Sequence, residues 1–424
     1  MSKFFLYIVL FLFLSNCGFN DKKVEQNPNA ITLFEKSEPI GQELNPTLNI
    51  KISTITKGEP FLSSNSNNSG NLDFNSNFEN SFSFKFSNID QFKFNQLEIL
   101  FTEDNSLVFF TGKGEIFKTS TDFEKYWKVN HYTKKEKKLK PILYFAQSGS
   151  DILVLDNLSK VYSIKLKTGE LNWNIESKVG FNSNAKIIKN SVVAVDFDNV
   201  IRAFSVKDGK ELWNFDTDNP FIKSKKKLSL VTKGEVVFFI NSIGDVTALN
   251  ANDGSLVWQT PTQSTLIFQD AFTLENSDII FANDTIYFSN NRNEFFAIDA
   301  RSGVLKYKQT INSSLRPTVI EDYVFSISKE GFLFIIDDKT GNVLRITNIF
   351  KNIENKKNQI EPTGFILAQN KVYVSLNNGK LIKLNAVSGN EEGFYKLGKS
   401  RINRPNVFND GMFILKSNAI IKVE

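Results

Sequence analysis

The sequence predicts an all-β fold: an eight-bladed β-propeller whose ring is closed by an N-terminal strand. Three observations carry this prediction. A unit of about 40 to 50 residues recurs along most of the chain, the period expected of a propeller blade. Each unit holds two runs of β-branched and aromatic residues joined by a short polar turn, the pattern of a hairpin. The last unit reaches the end of the chain before its fourth strand, and an alternating segment near residue 81 can supply it.

The repeat is most visible at the end of each unit. "VYSIKLKTGELNW" ends at Trp173, "IRAFSVKDGKELW" at Trp213, "VTALNANDGSLVW" at Trp258 and "FFAIDARSGVLKY" at Tyr307. "LFIIDDKTGNVLR" ends at Arg345 and "LIKLNAVSGNEEG" at Gly393. Each has a glycine four residues before its last letter: Gly169, Gly209, Gly254, Gly303, Gly341 and Gly389. A weaker relative, "IFKTSTDFEKYW", ends at Trp127 with Phe123 where the glycine belongs. All 4 tryptophans of the chain occupy this slot, so they are expected to pack between adjacent blades. The glycine stands in a turn, where it tolerates positive φ. The strand that follows alternates, with Leu171, Trp173 and Ile175 of "GELNWNI" placed on one face.

Central hairpins are predicted near Gly112, Asn157, Asp198, Ile243, Asn291, Glu330, Asn377 and Ser417, one per blade. Pro317, Pro362 and Pro405 suit the start of a first strand, where no ladder donor is needed. The eighth blade, "GMFILKSNAIIKVE", lacks its last strand. "SFSFKFS" (Ser81 to Ser87), with Phe82, Phe84 and Phe86 in alternation, is the expected closing strand. The body is therefore placed at residues 81–424.

Ahead of it the chain changes character. Lys3 precedes the apolar run Phe4 to Leu14, the length of a signal-peptide core and well short of the roughly 20 residues of a membrane-spanning helix. Shortly after the run comes Cys17, the single cysteine, which excludes a disulfide within the chain. "LSNC" resembles the lipobox of bacterial lipoproteins: Leu14 and Ser15 fit, while Asn16 replaces the usual Gly, Ala or Ser. This resemblance implies a signal peptide over residues 1–16 and lipidation at Cys17. Gly18, in place of the inner-membrane retention residue Asp, implies the outer membrane. Residues 17–80 are expected to be a flexible tether, because "SSNSNNSGNLDFNSNFEN" (Ser63 to Asn80) has little to bury. Within it, "NIKIST" (Asn49 to Thr54) reads as a short strand or a partner-binding segment.

The net charge of +5 over 424 residues does not mark a nucleic-acid binder. Two basic runs, "KVNHYTKKEKKLKP" (Lys128 to Pro141) and "KSKKK" (Lys223 to Lys227), read as solvated loops, with contact to acidic partners or anionic head groups as the alternative. The only histidine, His131, has no cysteine near it in sequence, and no His/Cys/Asp cluster has metal-ligand spacing. Asp337 and Asp338 sit in a repeat turn, so a turn role is expected. No cofactor, catalytic residue or metal ligand is assigned.

The pattern of "ALNANDGSLVW" (Ala248 to Trp258) resembles the quinoprotein-type, or PQQ-like, repeat. A quinoprotein dehydrogenase would need a quinone pocket, a metal and a catalytic Asp. Lipobox, polar tether and an eight-bladed body without a catalytic cluster together resemble the BamB family, the lipoprotein component of the outer-membrane β-barrel assembly machinery. That resemblance implies a non-catalytic, monomeric scaffold on the periplasmic face of the outer membrane. It implies membrane attachment through the lipid only, and binding to the POTRA region of a BamA-like subunit within the Bam complex. Another lipid-anchored propeller of this class, binding a different envelope protein or ligand, is the alternative. In the BamB family the partner surface is built from loops flanking the middle blades. The corresponding residues here are Ile222 and Lys225 in "PFIKSK", and Asp270 or Glu275 in "FQDAFTLENSD".

Overall fold

Alternating apolar runs separated by polar turns fold here into eight antiparallel sheets arranged as blades. The computed structural model describes residues 40–55, 70–95, 97–218, 223–262, 274–353 and 359–424. Blades 1 to 7 each take four consecutive strands. Their first strands begin at Leu100, Leu143, Lys186, Leu230, Ile280, Thr318 and Pro362. The first strands of blades 1 to 5 touch in succession, which places the first strands innermost, around a central channel. Blade 8 takes three strands from the C-terminal end (Asn406–Phe408, Gly411–Lys416, Ala419–Val423) and its outer strand from Ser81–Lys85. That strand runs antiparallel to the last one, with Ser81 opposite Val423 and Lys85 opposite Ala419, so the ring closes as the sequence predicts. Phe84 packs on Phe109, Phe117 and Phe123 of blade 1, while Phe82 is half exposed on the outer edge.

The repeat glycines and tryptophans form one device, used at successive blade boundaries. Trp213 of blade 3 lies against Gly254 of blade 4. Gly254 has φ +74°, and a methyl group in place of its hydrogen would stand 2.7 Å from the Trp213 ring. Both requirements exclude a side chain there. The indole Nε1 then donates to the Ala251 carbonyl at 3.0 Å. The same bond recurs from Trp127 to Leu166 (3.0 Å), Trp173 to Val206 (3.1 Å) and Trp258 to Ala300 (3.0 Å). Tyr307 stacks on Gly341 without the bond. Arg345 replaces the indole at the next boundary and donates to the equivalent carbonyl, that of Ala386, at 2.7 Å. Gly169, Gly209, Gly303 and Gly389 take φ between +73° and +78° in the corresponding turns.

One detail departs from simple alternation. The third and fourth strands of blades 1 to 7 share a register shift just after the turn, as between Leu171 and Trp173. This bulge re-aims the side chains. Leu171 is 39% exposed while Trp173 and Ile175 are half-buried, so the three do not share one face.

The segment expected to be a free tether differs more. Residues 40–55 and 70–80 are packed onto the body. Leu44 exchanges backbone hydrogen bonds with Ile346 at 3.2 and 2.9 Å, and Arg345 Nη1 donates to the Leu48 carbonyl at 2.8 Å. Ile50 and Ile52 are buried in the core between blades 6 and 7, with Ile320, Leu333 and Val372. Ser53 N, Ser53 Oγ and Thr54 N all donate to Glu321 Oε1 at 2.8–2.9 Å. Further on, Asn71–Leu72 adds a parallel strand to the inner edge of blade 7, against Leu367–Ala368. Leu72 and Phe74 are buried between blades 7 and 8, and Phe78 stacks on Tyr395 at 4.2 Å. Few residues here are apolar, but four of them, Ile50, Ile52, Leu72 and Phe74, are buried. At about 1.5–3 kcal/mol per fully buried aliphatic side chain, Ile50 and Ile52 suffice to dock the segment. Cys17 and the expected signal peptide lie outside the described residues.

Candidate functional site

An up-and-down blade sends its turns to two faces. The glycine turns and the turns after each first strand share one face, and the 40–55 segment crosses it. The central hairpin turns and the connections between blades share the other. Lys225 lies in the connection from blade 3 to blade 4 and Glu275 in that from blade 4 to blade 5, so both belong to the second face. Lys225 is exposed. Glu275 is half-buried, pairs with Lys93 at 3.2 Å, and has its backbone N–H held by Asn291 Oδ1 at 3.0 Å. Ile222 and Asp270 lie outside the described residues.

The basic run Lys223–Lys227 is not a solvated loop throughout. Lys223 reaches Asp198 at 2.7 Å in the hairpin turn of blade 3. The next two lysines after Lys225 turn inward. Lys226 Nζ donates to the carbonyls of Ser314, at 2.7 Å, and Asn276. Lys227 is 11% exposed and pairs with Glu98. The other run, Lys128 to Pro141, contains a short helix, Lys134–Lys138, closed by a capping box between Thr133 and Glu136. Burial pushes Glu136 up, but hydrogen bonds from Lys160 and Thr133 prevail and hold it at about 2.

At the channel mouth the repeat collects charge that sequence reasoning missed. Glu98, Asp278, Arg316 and Arg404 each stand two residues before the first strand of their blades, 1, 5, 6 and 8. The fold therefore gathers equivalent positions around one axis. Asp278, Arg316 and Arg404 line two adjoining cavities. Burial works to raise the Asp278 carboxyl, but Lys227, Lys226, Arg316 and Arg404 outweigh it and hold it below its ordinary range. Burial also lowers Lys226, Lys227, Arg316 and Arg404. The register position was the available signal, but it appears only once the blades are aligned in space.

Three residues singled out in the sequence have structural roles. Asp337 Oδ1 accepts from Thr340 N and Oγ1 at 2.7 Å within its turn, and Asp338 accepts from Asn283 at 2.7 Å and from Tyr287, tying blade 5 to blade 6. The His131 imidazole is paired with the Gly169 carbonyl at 3.1 Å, and burial lowers its pKa.

These features define a closed, eight-bladed propeller of the quinoprotein-repeat class with a charged channel mouth. Residues 113–347 match the family model described as "Outer membrane protein assembly factor BamB". The chain belongs to the BamB family. It is 19% identical over 273 residues to the BamB of Moranella endobia, covering 64% of this chain and 68% of the relative. With the BamB of Yersinia pestis it shares 21% identity over 193 residues, 45% of this chain and 47% of that one. Its fold is similar to the crystal structure of BamB from Moraxella catarrhalis, with TM-score 0.64, 16% identity, and coverage of 81% of this chain and 98% of that chain.

Proposed function

We propose that the protein is a non-catalytic scaffold of the outer-membrane β-barrel assembly machinery. It acts on the periplasmic face of the outer membrane, held there by lipid on Cys17. It binds, as a monomer, the POTRA region of a BamA-like subunit and assists insertion of outer-membrane proteins. The observation that carries this reading is the family match over residues 113–347. It spans both connections assigned to the partner, Pro220–Lys225 and Phe268–Asp278. The binding face is the one that carries these connections. Ile222 supplies an apolar anchor, the kind of contact that dominates interface affinity. Lys225, Asp270 and Glu275 supply charge of both signs, which sets specificity and association rate. A rigid ring presenting loops suits this role, since loops on a scaffold commonly carry function.

The test is a cross-linking pull-down from native membranes. Wild type should recover a BamA-like subunit. The double variant Ile222→Asp, Asp270→Lys should lose it while keeping its circular dichroism and melting temperature. Wild type recovering no barrel-assembly subunit would contradict the proposal.

A further inference from the structure

The channel mouth has an excess of positive charge that nothing in the partner-binding role uses. Lys186, at the start of the innermost strand of blade 3, is only 3% exposed. Its ammonium has no hydrogen-bond or ion-pair partner among the described residues. It interacts electrostatically with Asp278 of blade 5 and Arg316 of blade 6. A side chain of blade 3 can do this only by reaching into the channel. Around it stand Lys93, Lys226, Lys227, Arg316, Arg401 and Arg404, against three carboxylates, Glu98, Glu275 and Asp278. With Lys186, seven basic groups stand against three carboxylates. Gly364 helps to make this arrangement: a methyl group there would stand 2.4 Å from Arg404 Cβ, so only glycine lets that arginine occupy the mouth.

Withdrawing an ammonium such as that of Lys186 from water is costly unless an opposite charge meets it. Burial, together with Arg316, drives the Lys186 pKa well down, and the Asp278 carboxylate only partly offsets them. Arginine forks and lysine ammoniums arriving from several blades suit a group with acceptor oxygens on every side. We propose that the channel mouth is a binding site for a small, multiply charged oxyanion of the phosphate class, held by Lys186, Arg316 and Arg404.

The probe is pyrophosphate, titrated calorimetrically into dialysed full-length protein, with ionic strength fixed by sodium chloride. Saturable binding near one equivalent and a concentration-dependent rise in melting temperature are expected. Lys186→Met should melt at or above the wild-type temperature, since it removes a buried unpaired charge, yet bind at least about tenfold more weakly. Arg316→Met provides a second variant, with the same loss of binding expected. Phosphatidylglycerol vesicles separate a lipid headgroup from a free anion as the source of the phosphate. Saturable binding of pyrophosphate supports the proposal whether or not vesicles bind. Three outcomes overturn it: no saturable binding, undiminished binding by Lys186→Met, or vesicle binding without pyrophosphate binding.

Discussion

Trp213 and Gly254 show how a single slot in the repeat does two jobs. The ring fills the gap between blades, and the glycine opposite supplies both the space and the left-handed turn. Trp213→Ala should cost about 3–5 kcal/mol in urea unfolding, because the ring is buried. Gly254→Ala should cost about 1–2 kcal/mol for its backbone conformation alone, and more while the ring is present. In the Trp213→Ala background only the backbone cost should remain, so a double-mutant cycle should show coupling. Additive losses would mean that ring and glycine act separately. The slot itself was legible from residue identity, since tryptophan and glycine recur at fixed spacing. Arg345 was not. An arginine in an indole's place reads as a break in the pattern, whereas its guanidinium makes the same donation to the next blade. The charged ring at the channel was equally hidden, because Glu98, Asp278, Arg316 and Arg404 come from four distant units.

Among the elements, the strands and hairpins were legible and the docked N-terminal segments were not. Each of the eight predicted hairpins lies at the junction of a second and third strand, because alternation over five or six residues is a strong local signal. In residues 40–55 and 70–80 that signal is nearly absent: only Asn49–Thr54 alternates, and it docks without forming a strand. Their burial depends on Ile50, Ile52, Leu72 and Phe74 meeting grooves built by residues some three hundred positions away. Glu321 is the polar clasp of the first segment. The hydrogen bonds from Ser53 and Thr54 lower its pKa from an ordinary 4.5 to about 2. A carboxylate with a depressed folded pKa contributes stability above its unfolded value and loses it as pH falls through the folded one. Docking of Ser53 and Thr54 should therefore be insensitive to pH above about 5 and weaken between 4.5 and 2. Backbone amide chemical shifts of these two residues, followed by NMR, would report it. Glu321→Gln should already loosen them at neutral pH, and identical shifts in that variant would contradict the clasp.

On the scale of the whole molecule, the closing boundary is built differently from the rest. Blade 1 has Phe123 where other blades have glycine, and Phe84 of the closing strand packs on it, their ring centroids 6.0 Å apart. Lys422 adds a tie to Asp122 at 2.6 Å. Deleting Ser81–Lys85 should leave the edge of Ala419–Val423 unpaired, lower the melting temperature and promote aggregation. Melting equal to wild type would refute closure by this strand. A closed ring then has two unlike faces, one crossed by the N-terminal segment and one carrying the blade connections. The proposed function requires the partner on the second. Site-specific photo-crosslinking in native membranes tests this most directly, with the probe at Lys225 or Glu275 on one face and at Asp253 or Ser302, in the glycine turns, on the other. Adducts containing a BamA-like subunit should form from positions 225 and 275 and not from 253 or 302. Adducts from the glycine-turn face alone, or none containing that subunit from either face, would contradict it.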